Sequence, residues 1–218
     1  GMYDYDESRL RMLGVPYVIS SSGKTVPEDT GTYPKSALVT TDTEIESQSM
    51  VDYLCSCGHK RIAFITSGDE GLGRCHLNGY KRSLEKNGLE YDEKLIIRLK
   101  PGKRIYTIEN GYNCTCELLK SGVDFSCIYA ISDTLAVGAC RAIIDSGKRV
   151  PEDYCVAGAD GQDIAEYYHP SITTLKYPRV ETALQSVRTL FDLINRKKVV
   201  KRQILGGTLI ERESTRKL

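Results

Sequence analysis

The sequence predicts an α/β protein built on parallel strands, and three observations point there. Short β-branched runs alternate with stretches of helical periodicity, the order expected when helices cross over between parallel strands. The periodic stretches end at residues that favour a left-handed stop, such as Gly58 and Gly147. At 218 residues and 40% apolar content the chain can bury a real core, as one large domain or as two lobes.

Strands are expected at residues 17–20, 61–66, 95–99, 127–131, 154–157, 172–175 and 203–210, where apolar and β-branched residues run together between turn signals. The first helix spans residues 43–57: Thr43 followed by Glu46 reads as a capping box, and Gly58 closes the segment. A second covers residues 76–87. Ile105, Ile108, Tyr112, Cys116 and Leu119 recur at helical spacing and define a third. Ala136, Cys140, Ile143 and Ile144 define a fourth over residues 134–146, and residues 178–195 carry a fifth. No internal repeat or low-complexity segment interrupts this order. Gly1, directly before Met2, reads as a residue left by removal of a tag and is left out of the fold reasoning.

Charge excludes one class of partner for this chain alone. Thirty Lys and Arg against 29 Asp and Glu give a net charge of +1, without the basic footprint that nucleic acid demands. The short run Arg196, Lys197, Lys198, Lys201, Arg202 lies where a helix ends, and cations there favour the macrodipole. No stretch approaches the roughly 20 apolar residues of a spanning helix, and no leader pattern is present, so a cytoplasmic protein with no membrane partner is expected.

Eight cysteines fall within periodic apolar segments, among them Cys55, Cys116, Cys127, Cys140 and Cys155, and buried reduced thiols are expected. Cys55/Cys57 and Cys114/Cys116 are spaced C-x-C. On a helix that spacing turns the two sulfurs apart, unlike the C-x-x-C of zinc and redox sites, so no metal is expected. Enzyme signatures are missing as well. Gly71-Leu72-Gly73-Arg74-Cys75-His76 opens like a dinucleotide loop but ends in His, and neither a phosphate loop nor a nucleophile elbow occurs. No cofactor and no catalysis are expected.

In an open parallel sheet, ligands bind outside the carboxyl ends of the strands, so the residues just after each strand matter most. They are Ser67 and Gly68, Tyr106, Ser132 with Asp133, Asp160 with Gly161, and Tyr177. Asp133 precedes a helix and reads as its N-cap, which leaves Ser132 the freer side chain. Asp160 serves either turn geometry or a ligand. Tyr106, placed after the Pro101-Gly102 loop, has a ring that can stack on a sugar or a nucleobase, although core packing accounts for it too. His76 is one of three histidines and reads either as a ligand contact or as a satisfied surface group.

Several segments carry a resemblance. The run from Gly58 through His59, Lys60 and Arg61 to Ile65 is followed by Asp133-Thr134-Leu135-Ala136-Val137-Gly138-Ala139. Then come Val150-Pro151-Glu152-Asp153 and, after it, Val156-Ala157-Gly158-Ala159-Asp160. Pro170-Ser171-Ile172-Thr173-Thr174 and the closing Ile210 to Thr215, with Arg212 and Ser214, complete the order. In these motifs the chain resembles the LacI/GalR family of sugar- and nucleotide-responsive repressors.

The resemblance implies a periplasmic-binding-protein-like fold: two Rossmann-like lobes, three crossovers, and a small-molecule effector held between the lobes. Mapped onto this chain, the crossovers fall near Val39, Leu175 and Gly206. Residues 39–175 with 207–218 then form a complete second lobe, and residues 1–38 with 176–206 a remnant of the first. The family's effector contacts map to Asp160, Ser132, Tyr106 and Ser21, and Tyr177 joins them by its place after a strand. His76 stands where the family's R-x-x-G-[FY] motif has Arg, with Arg74 as a possible substitute two residues earlier, and Ala159 stands where the family has an aromatic. The same resemblance implies a homodimer, and DNA contact only through a helix-turn-helix segment absent from this chain. Two other readings remain open: a transporter's solute-binding protein, and a nucleotide-using Rossmann-type enzyme. Loss of most of the first lobe also leaves open that the chain binds no small molecule.

Overall fold

A computed structural model describes residues 12, 14–20, 35–100, 102 and 104–218. The chain divides into two compact units, Gly1–Asp42 with Pro178–Gly206, and Thr43–Tyr177 with Gly207–Leu218.

The larger unit is built on a six-stranded sheet. Its elements in chain order are α1 (Thr43–Ser56), β3 (Ile62–Thr66), α2 (Gly71–Lys86), β4 (Ile96–Arg98), α3 (Ile108–Lys120), β5 (Cys127–Ala130), α4 (Asp133–Asp145), β6 (Cys155–Asp160), α5 (Asp163–Tyr167), β7 (Thr173–Lys176) and β9 (Thr208–Ile210). Strand order is β4-β3-β5-β6-β7-β9, with every pairing parallel except that of β9 on β7. The runs Ile62–Thr66 and Cys127–Ala130 are buried along their whole length rather than alternately, because helices cover both faces.

On one face Tyr80 of α2 stacks on Phe64 of β3 at 4.9 Å, and its hydroxyl donates to the Ile62 carbonyl at 2.8 Å. Phe64 also lies 5.3 Å from Tyr129 of β5. Phe64, Tyr129 and Ala157 are in register across the sheet, so Gly158 faces the other side, where a Cβ would meet Asp133 Oδ1 at 2.5 Å. Glycine sets the helix spacing. A side chain on Gly138 of α4 would meet the Ile108 carbonyl of α3 at 2.1 Å, and one on Gly79 of α2 would meet the Glu44 carbonyl of α1 at 2.2 Å.

The Pro170–Thr174 and Ile210–Thr215 segments close on each other. Ser214 Oγ donates to the Val156 carbonyl at 2.6 Å and accepts from Thr173 N at 2.9 Å, while Arg212 Nη1 donates to the Ile172 carbonyl at 2.9 Å. These motifs fasten the sheet edge.

The smaller unit has β1 (Tyr17–Ile19), β2 (Ser36–Thr40), α6 (Arg179–Ile194) and β8 (Arg202–Ile204), with parallel strand order β1-β2-β8 and α6 packed on β1 and β2.

Several expectations need correction. β2 was not anticipated as a strand, since Ser36-Ala37-Leu38-Val39-Thr40 is a five-residue run just after Pro34. The strand expected at 203–210 is two, parted by Leu205-Gly206-Gly207, and its halves join different sheets. α2 starts at Gly71, not His76. The glycines that argue against a helix are required there, because a Cβ on Gly73 would meet the Gly68 carbonyl at 2.3 Å. Thr43 is the first residue of α1 rather than its cap, and Glu46 Oε1 accepts from Gly207 N at 3.0 Å.

All eight cysteines are free thiols, and burial pushes Cys127 and Cys140 well above the usual thiol range. Among the described residues no helix is long and apolar enough to cross a membrane.

Candidate functional site

The carboxyl ends of β3, β5, β6 and β7 present Ser67, Ser132 with Asp133, Asp160 and Tyr177 along one rim of the larger unit's sheet. Tyr106 joins them from the loop after β4, just ahead of Thr107, whose hydroxyl caps α3 by accepting from Asn110 N at 3.1 Å. Thr134 Oγ1 donates to the Tyr106 carbonyl at 3.2 Å and lies 3.0 Å from Ser132 Oγ, so the Tyr106 loop is tied to the start of α4. Burial pushes the Tyr106 phenol up, a hydrogen bond with Ser67 opposes this, and the Asp160 carboxylate adds to it. Tyr177, half-buried, is pushed well up by burial and by Tyr129, Glu46, Asp160 and Asp133 around it.

Asp133 is the hub of this rim. It is fully buried; its Oδ1 accepts from Thr174 Oγ1 at 2.6 Å and its Oδ2 from Gln162 N at 2.6 Å. Thr174 Oγ1 in turn accepts from Gly161 N at 3.3 Å, and Gln162 Nε2 donates to Asp160 Oδ2 at 2.9 Å. The loop 160–162 is therefore pinned at both backbone and side chain. Asp160 has φ 108°, a conformation side-chain-bearing residues seldom adopt, and the network holds it there. Burial raises the Asp133 carboxyl to about 6, with the Thr174 and Gln162 bonds opposing the shift.

The roles expected for Ser132 and Asp133 are thus exchanged. Ser132, only 3% exposed, is the N-cap: its Oγ accepts from Leu135 N at 3.3 Å. Asp133 is the first helical residue, and its carboxylate reaches across to β7 and the 160–162 loop.

His76 lies in the second turn of α2, is 6% exposed, and its Nδ1 is buried without a hydrogen-bond partner among the described residues. It is no surface histidine. Burial lowers it to about 4, so the ring is neutral at physiological pH. Arg74, two residues earlier, is exposed on α2. Ser21 lies outside the described residues. Sequence reasoning missed Thr174 and Gln162, whose role depends on contacts across 29 to 41 positions and leaves no local signal. No group of three or more His, Cys, Asp or Glu among the described residues has the geometry to hold a metal.

The profile of the periplasmic binding protein-like domain matches residues 51–215. The chain belongs to that family. Similarity to this domain extends to bacterial regulators: the HTH-type transcriptional regulator MalR of Clostridium butyricum is 41% identical over 146 residues, covering 67% of this chain and 42% of MalR. A solved LacI family regulator from Enterococcus faecium with bound ribose superposes with a TM-score of 0.79 at 28% identity, over 97% of this chain and 75% of that one. The structure of a transcriptional regulator CelR–cellobiose complex does so with a TM-score of 0.80 at 31% identity, over 96% and 62%. The domain spans about half the length of the curated relatives it matches.

Proposed function

We propose that this periplasmic binding protein-like domain is the effector-sensing part of a bacterial transcription repressor, taking a sugar or nucleoside-like molecule at the strand-end rim of the larger unit. The observation that carries this reading is the pinned 160–162 loop, in which Gln162 Nε2 donates to the Asp160 carboxylate while Thr174 and Asp133 accept from the Gly161 and Gln162 amides, on the same rim as Tyr106, whose phenol the Asp160 charge helps to raise. A pre-set acceptor next to an aromatic face suits a polyhydroxylated ring: the carboxylate takes hydroxyl protons and the phenol supports the apolar side. His76, neutral and with an unfilled Nδ1, supplies one further polar contact in place of a cation. Ser132, Tyr177, Arg74 and Ser21 complete the contact set we assign, Ser132 through its hydroxyl while it caps α4.

Two relatives of known structure hold a ribose and a cellobiose, which supports a carbohydrate as the ligand class. The domain acts in the cytoplasm by binding, without chemistry on its ligand, without a cofactor and without a metal. Residues 1–38 with 176–206 are assigned to a first lobe and 39–175 with 207–218 to a second. Effector contacts made in only one arrangement of the lobes shift an equilibrium that a DNA-binding segment outside this sequence reads in a dimer. Moving such an equilibrium from 1:99 to 99:1 takes about 5.5 kcal/mol of differential affinity, within reach of a few charge-assisted hydrogen bonds and a stacked ring.

The test is calorimetric titration of the effector into the chain and into Asp160→Ala and Tyr106→Ala. Each substitution is expected to weaken binding roughly tenfold or more, the equivalent of one lost good contact, with the circular dichroism spectrum unchanged. Unaltered affinity in both variants would remove the rim from the site.

A further inference from the structure

Asp133 is fully buried, and among the described residues its oxygens accept from neutral donors: Oδ1 from Thr174 Oγ1 and Oδ2 from Gln162 N, each at 2.6 Å. An ionised carboxylate so placed is costly unless a cation or further donors compensate. The cation that acts on it is Arg212, beyond β9, whose guanidinium is engaged by the Ile172 carbonyl at 2.9 Å and by Glu166 at 3.6 Å. From β6 the Asp160 carboxylate disfavours a second negative charge. Tyr129 on β5 and Tyr177 after β7 also face it, both neutral phenols pushed up by burial. Every element around Asp133 except the one bearing Arg212 therefore leaves the carboxylate undercompensated, and the group takes up a proton readily.

Thr174 gives that proton a place. Its Oγ1 donates to Asp133 Oδ1, accepts from Gly161 N at 3.3 Å and lies 3.5 Å from the Leu175 carbonyl. With Asp133 ionised, the threonine proton points to the carboxylate. With a proton on Oδ1 the contact reverses: the acid donates to Thr174 Oγ1, and the threonine proton turns to the Leu175 carbonyl. Every buried donor keeps an acceptor, so both states fit the same heavy-atom positions. The hold on the rim loop nevertheless changes at two points. Gly161 N then shares its acceptor with a second donor, and Gln162 N bonds a neutral oxygen instead of a carboxylate, which makes a bond roughly half as strong.

We propose that Asp133 and Thr174 form a proton-operated latch beneath the 160–162 loop, closed when Asp133 is ionised and loosened when the hydrogen bond between the two side chains reverses. The latch acts on Asp160 through Gln162, whose Nε2 donates to the Asp160 carboxylate at 2.9 Å. Its effect on effector capture rests on the function proposed above: capture is firm near neutral pH and weaker in acid.

The experiment follows the Gly161 and Gln162 amides of the full chain in proton–nitrogen correlation spectra from about pH 7.5 to about pH 4.5. It is repeated on Asp133→Asn, Thr174→Ser and Thr174→Val, with calorimetric titration of ribose and of cellobiose at both ends of the range. The two amides are expected to shift together with a midpoint near 6, and the shift to vanish in Asp133→Asn. Thr174→Ser keeps the hydroxyl and should hold the midpoint, whereas Thr174→Val removes a donor to the carboxylate and should raise it. The threonine pair decides the matter should Asp133→Asn fail to fold. A sugar that binds is expected to bind roughly threefold or more weakly at the acid end. Amides that do not titrate, or a midpoint indifferent to Thr174→Val, would overturn the latch, and affinity constant across the range would overturn its control of the rim. Titrating amides with neither sugar bound would uphold the latch and count against the carbohydrate reading instead.

Discussion

The two units spend their side chains differently. In the larger one, Phe64, Tyr80, Tyr129 and the strands around them are fully buried, and close helix contacts pass over Gly79, Gly111 and Gly138. In the smaller one, α6 rests on β1 and β2, where Ala37, Leu38 and Val39 are buried, hydrogen bonds join Gln185 and Thr189 to Gln203 of β8, and large apolar side chains of α6 face outward. The first arrangement suits a rigid platform for a binding rim; the second offers fewer buried apolar contacts among the described residues. Local stability is expected to follow, with amide exchange slow across β3, β5 and β6 and faster across β1 and β8.

Truncating the platform tests this contrast with the largest effect. Phe64→Ala, which removes a ring stacked between Tyr80 and Tyr129, is expected to cost about 3–5 kcal/mol in urea unfolding. An effect near zero would mean that the sheet of the larger unit does not set its stability.

Asp133→Asn is next. It turns one of the two buried oxygens that accept from Thr174 and Gln162 into a donor, and is expected to cost about 1–3 kcal/mol at neutral pH. Its pH dependence has a definite sign. The folded carboxyl titrates at about 6 against an ordinary 3.8, so the folded state holds the extra proton between those values. Stability contributed by this group is greatest below about 3.8 and falls as pH rises to about 6. The excess stability of the parent chain over Asp133→Asn should therefore shrink between pH 4 and pH 6, and a growing excess would contradict the burial argument. His76 acts in the opposite sense. Depressed to about 4 from 6.5, it withdraws stability as pH falls through that window, and His76→Gln should flatten that part of the profile.

The smallest effect belongs to the smaller unit. Gln203→Leu breaks the chain from Gln185 to Thr189 and is expected to cost about 0.5–1.5 kcal/mol, since Gln185 and Gln203 are half-exposed and water replaces part of what is lost. A loss as large as that of Phe64→Ala would erase the distinction between the units.

Much of this was legible in the sequence. Fully apolar runs announced the parallel strands of the larger unit, and the residues after those strands were readable as rim positions because a parallel sheet gathers its strand ends on one side. What escaped was long-range or counter-intuitive. β2 is short and follows a proline; the first turn of α2 is rich in glycines that propensity counts against it. The exchange of roles between Ser132 and Asp133 depends on Thr174, 41 positions away. The exposure of Leu184, Val187 and Phe191 on α6 was hidden because periodicity reports a stripe and not which way it faces.

The central claim is that the rim takes a carbohydrate-like effector. A thermal-shift panel of monosaccharides, disaccharides, phosphosugars, nucleosides and purines, with ribose and cellobiose included, tests it most directly on the chain and on Asp160→Ala. The account expects a saturable rise in melting temperature with at least one member, about 2.7 kcal/mol of added stability at a hundredfold excess over Kd, and its loss in Asp160→Ala. No shift across the panel, or one that persists undiminished in Asp160→Ala, would contradict it.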